Sequence, residues 1–269
     1  MFSSDQMVDY IDWFHGPLRG DDEQRDHKGN MVSFLLNPKL TIGITNYWNL
    51  TLGTTFGRRS MGWESGFNSI HHRDESTSTD FNNSIGGYLG DSKIIANYLV
   101  FNDGQGVGKR FYLGGGLVIP SKNTLTSDPF FLSGEEKKQH RHFSLSEGVY
   151  KSIFETQYFL KRNTNPVFIG GVFTLTSSLM ENKYGFKSGT VYDVALTGIT
   201  KEIVRLKGAL GGSINIQKNT GSFWNGKLAP NSKSTILVFG ISSVWSIKHS
   251  GINFNIRFPV FLKGGFNED

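Results

Sequence analysis

The clearest order in this chain is a two-residue alternation of apolar and polar positions, strongest near the C-terminus. In Ile252-Asn253-Phe254-Asn255-Ile256-Arg257-Phe258-Pro259-Val260-Phe261-Leu262-Lys263, the residues Ile252, Phe254, Ile256, Phe258, Val260 and Leu262 share one face. The positions between them are mostly polar. Successive side chains of a strand point to opposite sides, so the run predicts a strand with one greasy and one polar face. Leu237, Phe239, Ile241, Trp245 and Ile247 repeat the pattern in the preceding arm, and Lys248-His249-Ser250-Gly251 reads as the turn between the two.

Similar arms recur along the chain. Residues 31–45 and 47–58 read as a hairpin, with Trp48, Leu50, Leu52 and Phe56 alternating with Asn49, Thr51, Gly53 and Thr55. Further strands are predicted over 85–101, 109–120, 149–161, 167–179, 191–200 and 203–217, the last two paired across a very short link. In 203–217, Val204, Leu206, Leu210, Ile214 and Ile216 oppose Arg205, Lys207, Ser213 and Asn215. Tight connections alternate with long polar ones at 59–85, 121–142, around 181–185 and at 218–233. Outer-membrane barrels have this alternation of short turns and longer loops. The strands, about 10–14 residues each, exceed the usual length in soluble sheets and suit a tilted membrane crossing.

Composition narrows the choice. Hydrophobic residues make up 37% of the 269, yet there are 22 Phe and 33 Gly, which suits an apolar skin around a small-residue, polar interior. No apolar run reaches the roughly 18 residues of a membrane helix. With no Cys, disulfides, thiolate catalysis and Cys-ligated metals are excluded. The net charge of +5 is spread out, with no basic block and no nucleic-acid module. The opening Met1-Phe2-Ser3-Ser4-Asp5-Gln6 has no basic segment followed by an apolar one, so an exported protein is expected to have had its signal trimmed.

The expectation is an all-β fold: a closed antiparallel transmembrane β-barrel of about ten to twelve strands, with short turns at one end and long loops at the other. Residues 30–269 are assigned to the barrel, and 1–29 to an N-terminal arm or a first strand. The alternative is a soluble sandwich, in which the apolar faces meet each other and the polar faces meet bulk water.

Three stretches carry a family likeness: Gly86-Gly87-Tyr88-Leu89-Gly90-Asp91-Ser92-Lys93-Ile94, Leu113-Gly114-Gly115-Gly116-Leu117-Val118-Ile119-Pro120-Ser121, and 254–265, where Pro259 precedes an aromatic and then Gly. Together they resemble the Gram-negative outer-membrane "transporter" or "phenol meta-pathway degradation-like" proteins, over about residues 31–265. Departures are Ser-Lys after Pro120 where Thr-Gly is expected, and the Asn267-Glu268-Asp269 end. The resemblance implies a barrel in the bacterial outer membrane and passive passage or binding of a small solute.

Lys151, Glu155, Lys161, Arg205, Lys207 and Arg257 fall on polar faces and are candidates to line a lumen, as is Asp91, which suits a turn or bulge equally well. Filling a narrow interior with ion pairs is the alternative to conduction. His71, His72, Asp74 and Glu75 on one long loop, with His140 and His142 on the next, are the densest potential metal ligands for Zn²⁺ or Cu²⁺, although solvated loop tips explain them more simply. His142 and Ser144 have the spacing of a wall-mounted hydrolase pair but no orienting partner or oxyanion hole. The expected partners are outer-membrane lipids and a small solute, with no cofactor, no nucleic acid and no covalent chemistry. A non-conducting structural or loop-binding barrel is the competing function.

Overall fold

The computed structural model describes residues 1–15, 26–64, 87–132 and 144–264. Eleven long strands form one sheet in strict chain order. They are β1 (Phe2–His15), β2 (His27–Gly43), β3 (Trp48–Trp63), β4 (Leu89–Asn102), β5 (Gly108–Ile119), β6 (Lys151–Lys161), β7 (Phe168–Ser178), β9 (Val191–Ile199), β10 (Ala209–Thr220), β13 (Lys233–Ile247) and β14 (Ser250–Gly264). Each is antiparallel to its neighbour. Three two-residue strands, β8 (Phe186–Lys187), β11 (Phe223–Trp224) and β12 (Lys227–Leu228), form a small separate sheet. In it the rings of Phe186 and Trp224 lie 5.0 Å apart.

Connections at one end are short: 44–47, 103–107, 162–167, 200–208 and 248–249. Those at the other are longer: 16–26, 64–88, 120–150, and the two that carry the small sheet, 179–190 and 221–232. The all-β antiparallel barrel-type fold and the two-ended loop pattern expected from sequence are both present. Among the described residues no pairing joins β1 to β14, so these are the two edges of the curled sheet. Pro259 sits on the edge strand β14, where its missing N–H is tolerated. Pro38 lies in β2 where the ladder to β3 skips Asn37 and Pro38, and Thr55 Oγ1 donates to Asn37 Oδ1 at 2.8 Å instead.

Residues 2–15 form the first strand, one of the two readings open for the N-terminus. The link between β9 and β10 is longer than the alternation predicts. Ile203 bridges to Gly208, and Lys207 adopts φ 48°.

The two faces of the sheet differ as the alternation predicts. Along β10 every second residue is exposed: Leu210, Ile214 and Ile216 on one side, with the half-buried Ser213, Asn215 and Gln217 opposite. The exposed apolar face continues through Leu196, Leu113, Leu117, Phe154, Tyr158, Phe239 and Ile241. By contrast, the fully buried apolar residues are few: Met61, Val118, Val149, Ile153, Trp224 and Ala229. A sandwich would bury its greasy faces against each other. Here they stay open and continuous around the sheet, far beyond the patch that a soluble monomer exposes.

Candidate functional site

A segment of the 120–150 loop lies on the polar face and marks it as the inside. Leu145 approaches Gly57 of β3 so closely that a methyl there would stand 3.4 Å from its Cδ2. Arg59, on the same side of β3, donates to the carbonyl of Ser144. The segment is tied down by Asn123, which is almost fully buried: its backbone carbonyl accepts from Ser146 N at 2.9 Å, and its Nδ2 donates to the Gly87 carbonyl. Gly148 N donates to Ser146 Oγ at 2.9 Å. The loop therefore folds back over the loop end of the interior wall.

Beneath it, cross-strand register places three lysines in one row. Lys39 faces Gly53, Gly53 faces Lys93, Lys93 faces Val118, and Val118 faces Lys151. Residues paired across a ladder share a face, so all three ammonium groups project inward. Lys39 Nζ meets Asp5 Oδ2 at 2.8 Å, and Lys151 pairs with Glu147 of the loop. Asp91 lies in a bulge: Gly90 and Asp91 together oppose Thr55, because the β3–β4 register shifts between Thr54 and Phe56. Its Oδ1 accepts from Ser121 N at 3.3 Å. Asp91 thus sits in the bulge, on the inner face of the sheet.

The adjoining row is Thr51, Ile95, Gly116, Ile153, Thr176 and Val191, and the one after it is amide and carboxylate. Asn49, Asn97, Gly114, Glu155, Thr174, Asp193 and Gln217 follow one another across β3 to β10. Asn97 Nδ2 donates to Asn49 Oδ1 at 3.4 Å. Glu155 accepts from Gln157 and from Thr174, and Asp193 accepts from Asn215 Nδ2 at 3.0 and 2.9 Å. The buried Asn97 Oδ1 has no partner among the described residues.

Four residues along from Glu155 the interior row runs Arg110, Phe159, Gly170, Thr197, Ser213, Gly240, Arg257, from close to the turn on β5 to the middle of β14. Arg110 donates to the carbonyls of Gly104 and Gly106 at 2.9 and 3.1 Å. Lys161, the last residue of β6, shares the inner face one row nearer the turns.

Lys151, Glu155, Lys161, Asp91 and Arg257 therefore lie on the inner wall. Arg205 and Lys207 do not: they occupy the 200–208 turn, which departs from the strand that the alternation predicts. The ligand set His71, His72, Asp74, Glu75, His140 and His142 lies outside the described residues. Among the described residues no group of three or more His, Cys, Asp or Glu could hold a metal ion. Ser144 Oγ donates to the Ser146 carbonyl at 2.6 Å, which is no alignment for a nucleophile. Sequence reasoning passed over Lys39, Lys93, Asn97, Arg110 and Asp193. Their signal was available, since each falls on the inner parity of its strand.

Aromatic residues gather on the outer face near the ends of the wall. The Trp48 and Tyr98 rings lie 5.0 Å apart and the Tyr47 and Tyr98 rings 6.2 Å apart at the turn end. Tyr150 and Tyr192 are exposed nearer the loop end. Among the tryptophans, Trp48 and Trp245 take outward positions near the turns, whereas Trp224 is buried in the small sheet.

No protein-family model and no curated protein matches the sequence. The fold does match solved structures. A crystal structure of an outer membrane channel from Pseudomonas putida F1 superposes with a TM-score of 0.61 over 97% of this chain and 90% of that one, at 13% identity. At that identity the likeness is one of fold.

Proposed function

We propose that this chain forms the wall of a bacterial outer-membrane channel through which a small solute passes along a polar interior, without covalent chemistry. One observation carries the reading: a continuous exposed apolar face backs an interior of Lys, Asp, Glu, Asn and Gln. Hydrocarbon accepts the first surface and rejects the second, whereas a wet lumen accepts the second. The aromatic positions at both ends of the outer face suit the headgroup regions. The fold likeness to an outer membrane channel supports the same reading, as does the three-motif resemblance to the outer-membrane transporter family. Outer-membrane lipids would then cover the apolar face, with the long loops outside and the short turns in the periplasm.

The 144–149 segment on the inner wall favours a second reading, a barrel whose loop end is blocked and whose loops do the binding. Conductance in a planar bilayer separates the two. Detergent-extracted protein that migrates anomalously on gels until boiled, and that then gives discrete current steps, supports the channel. A heat-modifiable but silent protein overturns the channel and leaves the blocked barrel.

A further inference from the structure

The outer face of the last three strands ends differently at the loops than at the turns. From Ile203 to Gly264 the sequence has no aspartate and no glutamate. The only lysines of β10, β13 and β14 are Lys218, two residues before the end of β10, Lys233 at the start of β13, and Lys263, one before the end of β14. All three therefore lie at the loop end. All three also take the outer parity: Tyr192, Lys218, Thr235 and Lys263 form one row, and Lys233 faces Thr220 two residues nearer the loops. Residues two strands apart in one row are about 10 Å from each other, and diagonal neighbours roughly 7–8 Å, so the three lysines form a compact triangle. They are exposed, and among the described residues none of their ammonium groups has a hydrogen-bond or ion-pair partner. Asp193, next to Tyr192, projects to the inner face, where it accepts from Asn215 Nδ2 at 3.0 Å. One row nearer the turns the outer positions are all apolar: Val194, Ile216, Leu237 and Val260. At the far ends of the same strands the outer residues are Leu210, Trp245 and Ile252, with no charge.

We propose that Lys218, Lys233 and Lys263 bind the phosphate-bearing headgroup of an outer-leaflet lipid, whose acyl chains lie on the row of Val194, Ile216, Leu237 and Val260. The inference rests on the outer-membrane reading above and names the class of lipid that covers this part of the wall. Three ammonium groups gathered without a counter-charge repel one another, and an anion between them removes the repulsion. Lysine binds phosphate as a point charge, and its long stem can lie along apolar surface while the head stays at the polar boundary. The ring of Tyr192, exposed beside Lys218, suits the same headgroup level. Negative lipid headgroups attract lysines placed at the edge of a membrane span in this way. Inorganic phosphate would satisfy the lysines but leave the apolar row beneath them uncovered. A lipid satisfies both, because its charge and its chains are joined in the order in which the two rows are stacked.

The test is the midpoint temperature of the heat-modifiable gel shift in neutral dodecyl maltoside micelles, titrated with lipid A bearing both of its phosphates. A ligand bound by the folded state alone raises that midpoint as its concentration rises. The intact chain should gain several degrees with lipid A and much less with the same lipid after its phosphates are removed. The combined Lys218→Gln, Lys233→Gln and Lys263→Gln variant should lose most of the gain. Lys109→Gln, which removes an exposed lysine of the outer parity at the turn end of β5, should keep it. If the triple variant does not fold, Lys218→Gln alone should raise the lipid A concentration needed for half the gain several-fold. No gain in the intact chain, an equal gain in the folded triple variant, or an equal gain with the dephosphorylated lipid overturns the headgroup site. An equal gain with inorganic phosphate overturns the lipid as its occupant. Each of these leaves the channel reading standing, since conductance decides that separately. A chain that shows no heat-modifiable shift in any micelle overturns the barrel and the lipid site together.

Discussion

Asn97 and Gly114 face each other across β4 and β5, and the side chain of one fills the space that the other lacks. A Cβ at 114 would stand 2.1 Å from Asn97 Oδ1. Glycine is therefore required here by close approach rather than by backbone conformation, and it lets the amide lie along the wall between Asn49 and Glu155. Gly114→Ala should push the amide off the wall and lower stability by about 1–3 kcal/mol, the usual range for overpacking. The midpoint temperature of the heat-modifiable gel shift should fall, and Gly115→Ala, on the outer parity with only Ile153 O at 4.0 Å, should leave it nearly unchanged.

Leu196 and Thr197 are adjacent on β9 and point to opposite faces. Leu196 is 57% exposed, whereas Thr197 lies in the inner row between Gly170 and Ser213. Leu196→Lys should cost about 2–4 kcal/mol of stability in a bilayer if it lies near the midplane, and Thr197→Lys much less. Urea titration of folding into lipid vesicles measures both. In a soluble protein the order would reverse, because the exposed position would tolerate the lysine better.

The contact between Lys39 and Asp5 is short but open to water, with the side chains 47% and 68% exposed. Exposed pairs contribute little. Lys39→Met should change stability by less than about 1 kcal/mol, a small effect beside that of Gly114→Ala in the same assay.

The side chain of Leu145 packs the 144–149 segment against Gly57, while its backbone carbonyl lies over Gly90. Leu145→Ser should release the segment from the wall and raise single-channel conductance without altering heat-modifiability. Unchanged conductance would mean that the segment does not narrow the path.

Much of this was legible in the sequence, and the exceptions have physical causes. Alternation worked for β10, β13 and β14 because one face meets apolar surroundings and the other polar ones. It left β1 open between an arm and a first strand because that strand mixes its faces: Gln6 and Asp12 share the parity of Phe2 and Val8, while Met7 and Ile11 share that of Asp5 and Asp9. It overran at Val204-Arg205-Leu206-Lys207, where a turn happens to carry the period of a strand. The Lys207-Gly208 pair, with Lys207 at positive φ, was the better signal there. That Lys39, Lys93 and Lys151 share one row could not be read, since register between strands far apart in sequence brings them together. The loop on the inner wall was hidden for the same reason, as Leu145 meets Gly57 across a wide separation in sequence.

The absence of cysteine makes the central claim directly testable. Single cysteines placed at 194, 195, 196 and 197 on β9, in vesicles, can be probed with a charged, water-soluble maleimide free of background reaction. A barrel with a wet interior and a lipid-covered exterior predicts that the cysteines replacing Ala195 and Thr197 react while those replacing Val194 and Leu196 are protected, the protection ending when the lipid is dissolved and the protein denatured. Reaction at 194 and 196 with protection at 195 and 197 would contradict it, because the apolar face would then meet water and the polar face would be shut away from it.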